Sequence, residues 1–179
     1  MSITRALTLW PEWAYAVLHL GKDVENRLWT RAPGVYALLA GVAIGGRHAA
    51  SARREGLAAL RAKVAHVFIG QESPLDALDD AALISKVGAL CGAVVGVVEV
   101  EKVYRGASDR VPPSQSLWAG YDAIDPFTIS ESGERPTIAN PIRLLHIAAA
   151  PIPCRGQLGL WRLPPEIASA VNGWPVEPL

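Results

Sequence analysis

Residues 21–29 read Gly21-Lys22-Asp23-Val24-Glu25-Asn26-Arg27-Leu28-Trp29, setting an ammonium, carboxylates, an amide, a guanidinium and an indole close together. A lysine partly desolvated among apolar and aromatic neighbours either loses its proton and serves as a base, or keeps it and holds a phosphate or a carbonyl. The purely structural alternative for Lys22 is a cation placed at the C-terminal end of the preceding helix, where the dipole favours it. A strand period of two puts Glu25, Arg27 and Trp29 on one face and Asn26 on the other. Glu25 and Arg27 then either close a surface ion pair worth about 0 to 1 kcal/mol, or line a pocket. In a pocket the glutamate accepts from a base amino group while the arginine forks onto a phosphate or stacks on a ring.

Other residues extend this chemistry. Trp10, Trp29, Trp118 and Tyr121 are candidate stacking surfaces, since recognition of unpaired bases uses aromatic faces worth about 1 to 3 kcal/mol each. Trp118 sits in a polar stretch and is expected to be exposed, whereas Trp161 is expected to pack in the core. Glu99 and Glu101 fall on one strand face, as a catalytic carboxylate and its helper or as a solvated rim.

The elements that must position these groups follow from periodicity. Residues 3–9 read as a strand and residues 10–20 as an amphipathic helix, with Pro11 in its first turn and Gly21 as its stop. Residues 35–40 are an apolar strand. Leu57, Leu60, Val64 and Val67 form a stripe that predicts a helix over 51–68, and Ser73-Pro74 signals the start of another that ends before Gly88. Residues 94–103 begin as a continuous apolar run and then alternate, so that Val97, Glu99, Glu101 and Val103 share a face. Residues 104–141 are rich in Pro, Gly, Ser and Asp and read as a long loop. Residues 142–147 and 157–163 supply the last strands, and 165–172 a brief helix. The expectation is one α+β domain over residues 1–179: a small barrel of five to six strands with flanking helices, and a helical insertion over about 43–87 that forms a lid or pads an edge.

Three stretches carry a family resemblance. The helix with its Gly-Lys-x-x-Glu-x-Arg core and the strand after it, the run Ala93-Val94-Val95-Gly96-Val97-Val98-Glu99-Val100, and the segment from Pro153-Cys154-Arg155-Gly156 through Leu160-Trp161-Arg162 resemble, in that order, the ASCH family of PUA-like β-barrels. They cover about half of the chain. The resemblance implies a nucleic-acid-related fold whose pocket surrounds Lys22. Binding of single-stranded RNA, or of a flipped or modified base, is the leading expectation, with RNA favoured over DNA and a modified nucleoside as a further ligand. The second is a metal-independent hydrolase, a ribonuclease or an amidohydrolase of modified cytidine nucleosides, with Lys22, Glu25 and Glu99 as its catalytic residues. The amidohydrolase members place threonine three residues after the lysine, where this chain has Glu25, and a carboxylate does not replace an activated hydroxyl. A third class, a protein-interaction module, lacks the partner domains that would support it.

Composition bounds these readings. The chain has 179 residues, half of them hydrophobic, and balances 17 basic against 17 acidic side chains. Zero net charge argues against a protein that coats duplex phosphate over its whole surface. Arg47, His48, Arg53, Arg54, Arg61 and Lys63 cluster before Glu72, Asp76, Asp79 and Asp80, as two solvated faces that attract or as a basic patch. Cys91 and Cys154 are too few for a disulfide framework or a zinc site, and His19, His48, His66 and His146 are scattered, so no metal and no cofactor are expected. The N-terminus lacks the features of a signal peptide and no apolar stretch reaches the roughly 18 residues that span a bilayer, so a cytoplasmic protein with no membrane partner is expected.

Overall fold

A computed structural model describes residues 2–27, 32–42, 49–101, 116–118, 138–157 and 159–176. The elements run β1 (Arg5–Leu9), α1 (Pro11–His19), β2 (Val24–Arg27), β3 (Gly34–Ala40), α2 (Ala49–Val67), α3 (Asp80–Gly88), β4 (Ala93–Val100), β5 (Ile138–Pro153), β6 (Leu160–Arg162) and α4 (Pro165–Asn172). The six strands form one mixed sheet in the order β2-β5-β4-β3-β1-β6, parallel between β1 and β3 and antiparallel elsewhere. Among the described residues, six strands and four helices make the α+β architecture that the sequence predicts, with short β2 and β6 at the two edges of the sheet.

Strand alternation divides the core into layers. Leu7, Leu9, Tyr36, Leu38, Val98, Val100 and Ile142 face α1, which contributes Ala14, Val17 and Leu18. Ala6, Ala37, Leu39, Val94, Val97 and Trp161 face the other way, toward Val171 of α4. The face changes within β4 at Gly96, where the register with β5 shifts; a Cβ there would stand 2.5 Å from the backbone oxygen of His146, so the bulge requires glycine. The outer side of α1, through Tyr15, Ala16 and Leu20, packs on Leu57, Leu60 and Val64 of α2 and on Leu83 and Val87 of α3. The inserted helices therefore form a third layer against α1.

Two boundaries differ from expectation. Ser73-Pro74 opens a turn, in which the Leu75 N–H donates to the Ser73 hydroxyl at 3.1 Å; the helix starts only at Asp80, because Asp79 caps it by accepting from the Ala82 N–H at 2.7 Å. The last part of the expected loop, from Ile138 onward, belongs to β5, which runs on through Pro141 to Pro153. Pro141 is tolerated because its backbone faces the end of β4, where its oxygen accepts from Glu101 and only one ladder bond is lost. Among the described residues no helix is long and apolar enough to cross a membrane.

Candidate functional site

Lys22 is positioned by the end of α1. After the last turn Gly21 takes φ +68°, and the Lys22 N–H returns to the carbonyl of Ala16 at 3.2 Å, a glycine-dependent helix stop that turns the lysine back along the helix. Its ammonium lies 5.9 Å from the ring centroid of Trp13, donates to the carbonyl of Val24 and stands 3.3 Å from Glu25 Oε2. The two charged side chains are only 5% and 9% exposed. Burying either charge alone carries a desolvation cost of several kcal/mol per ion. Each offsets part of the other's cost.

Glu25 lies on edge strand β2, directly opposite Asn140 of β5. Asn140 is completely buried, and its Nδ2 donates to the Glu25 backbone carbonyl at 3.1 Å. Asp23, between the lysine and the strand, accepts from the Ile142 N–H at 2.8 Å, and its carboxylate accepts from the Ser116 hydroxyl. That hydroxyl also accepts from the Trp118 N–H at 3.0 Å. Trp118 is 4% exposed and packs with Leu20, Val24 and the α2–α3 layer. The expectation of an exposed stacking platform at Trp118 is therefore corrected: its polar neighbours in sequence carry it to an apolar site supplied by distant elements.

The other predicted residues fall in several places. Trp10 precedes α1, its carbonyl accepting from the Ala14 N–H at 2.9 Å, whereas Lys22 follows the opposite end of that helix. Among the described residues, the aromatic ring beside Lys22 is that of Trp13. Trp161 packs in the core as expected, its indole N–H donating to Thr8 Oγ1 at 2.9 Å. Arg27 ends β2 opposite Ile138. Trp29 and Tyr121 lie outside the described residues.

Glu99 is not brought to Lys22 and Glu25. It stands opposite Arg143 and pairs with it at 2.5 Å, while Glu101 reaches the same guanidinium at 3.1 Å. On β5, Asn140 and Ile142 point to the buried α1 side and Arg143 to the exposed opposite face. Glu25 and Glu99 are thus on opposite faces of the sheet. The Glu99 and Glu101 carboxylates are an arginine-bridged rim, and their hydrogen bond and charges raise the Arg143 pKa above its ordinary value.

Trp13 and Asn140 are the site residues that sequence reasoning missed. Trp13 had a usable signal, since it lies one helical turn from Val17 and Ala16 on the way to the Gly21 stop. Asn140 had none, standing at the end of a Pro-rich stretch with no periodicity. Among the described residues no three His, Cys, Asp or Glu side chains are grouped to hold a metal ion.

No family model and no curated protein matches the chain. Among solved structures it is similar to the crystal structure of ASCH from Zymomonas mobilis, with 15% identity, a TM-score of 0.47, and coverage of 97% of this chain and 96% of that one.

Proposed function

We propose that the chain binds nucleic acid, taking single-stranded RNA or a flipped or modified base at the Lys22–Glu25 pair. The observation that carries this reading is the buried ammonium–carboxylate pair beside Trp13, inside the Gly-Lys-x-x-Glu-x-Arg motif of the first of the three stretches that carry the family resemblance. The pair is neutral as a unit, so a phosphate brought to Lys22 would meet the repulsion of Glu25 at 3.3 Å. A base edge, offering an acceptor to the ammonium and a donor to the carboxylate, suits it better. Because the pair is covered, a ligand that reaches it displaces part of its cover. Arg27, Trp29 and Tyr121 complete the proposal as phosphate and stacking contacts, and a cytoplasmic location goes with it.

The hydrolase reading keeps Lys22 and Glu25 as an acid and base pair but loses Glu99, which lies across the sheet. Fluorescence anisotropy of end-labelled single-stranded RNA, followed over time in EDTA, separates the readings. A stable rise supports binding, a fall below the free-RNA value means cleavage without metal, and an unchanged signal overturns RNA as the ligand.

A further inference from the structure

Asn140 is the one polar side chain of the described core with no exposure at all, and it stands on the same side of β5 as apolar Ile142. Interior strand positions ordinarily hold β-branched or aromatic residues. A carboxamide in such a place is unfavourable unless its polar atoms are hydrogen-bonded. Its Nδ2 donates to the backbone carbonyl of Glu25, the residue directly across the ladder. Strand β2 is short, lies at the sheet edge and among the described residues has β5 as its one neighbour, so its register is set by that pairing. Lys22 leans on the same strand twice, through the Val24 carbonyl and the Glu25 carboxylate.

We propose that Asn140 is a positioning residue for the Lys22–Glu25 pair: its amide fixes the β2 backbone at Glu25, and the carboxylate meets the ammonium only from that fixed backbone. The inference rests on the functional reading for its relevance to ligand binding, but the positioning is measured with no ligand present. An asparagine is suited to the task because it donates to a carbonyl without adding a second charge beside the pair. Leucine has nearly the same shape and cannot donate.

The test is the side-chain ammonium resonance of Lys22 in protein labelled with nitrogen-15, assigned by its loss in Lys22→Met. A buried, paired ammonium exchanges its protons slowly, and Glu25→Gln should broaden or shift the signal. Asn140→Leu should do the same while the thermal transition stays cooperative. If that variant does not fold, Asn140→Ala, which adds no bulk, is read at low temperature. An unchanged Lys22 resonance in the folded variant overturns the proposal. A resonance that moves in Asn140→Leu, combined with RNA binding indifferent to Lys22→Ala, would leave the positioning standing and remove the functional reading. RNA binding that needs Lys22, combined with a resonance indifferent to Asn140, would do the reverse.

Discussion

Lys22 Nζ and Glu25 Oε2 lie 3.3 Å apart across the turn from α1 to β2, with both side chains inside the protein. An exposed pair of this kind contributes about 0 to 1 kcal/mol, but removing one partner of a buried pair leaves a bare charge and costs about 3 to 5 kcal/mol. Lys22→Met and Glu25→Leu should each destabilise the fold by an amount in that upper range. The double variant should be more stable than either single one. Urea denaturation of the four proteins checks this, and additive losses would mean that the two charges do not depend on each other.

Trp118→Ala should cost about 3 to 5 kcal/mol, the range for emptying a buried aromatic site. The loss reports the packing of residues 116–118 against α1, α2 and α3. Chemical denaturation measures it, and a change below about 1 kcal/mol would return Trp118 to the surface, since exposed substitutions are usually within about 0.5 kcal/mol.

Partial desolvation, helped by the charge of Lys86, lowers the pKa of His19, a solvent-exposed residue whose ring lies 4.8 Å from that of Tyr15. A histidine with a depressed folded pKa takes up its proton more readily unfolded, so its contribution is complete above the unfolded value of about 6.5 and is lost as pH falls through the folded value. Stability should therefore decline as pH falls from about 6.5 toward the folded value. His19→Gln should flatten this part of the profile, and a decline identical in the variant would assign it to other groups.

Much of the scaffold was legible in the sequence, and the reason is periodicity. The apolar spacing of α1 and α2, the alternation after Gly96 and the core position of Trp161 are all properties of neighbours along the chain. The Ser73-Pro74 start misled because the same residues also favour a turn, and Asp79 supplies the stronger cap. The site was legible only as a motif. Period two places Glu25 and Arg27 on one face, and it does not encode the helix stop at Gly21 that folds Lys22 back onto Glu25. Asn140 and the burial of Trp118 depend on partners more than a hundred and about thirty residues away or more, which local patterns do not encode.

The most direct test of the central claim compares RNA binding by the wild type with that of the Lys22→Met/Glu25→Leu double variant, in which neither charge of the pair is left without the other. Anisotropy of labelled single-stranded RNA in EDTA at one stated salt concentration should show affinity reduced at least about tenfold in the variant, equivalent to about 1.4 kcal/mol. Equal affinity in a correctly folded variant would contradict the account and move the binding surface away from Lys22 and Glu25.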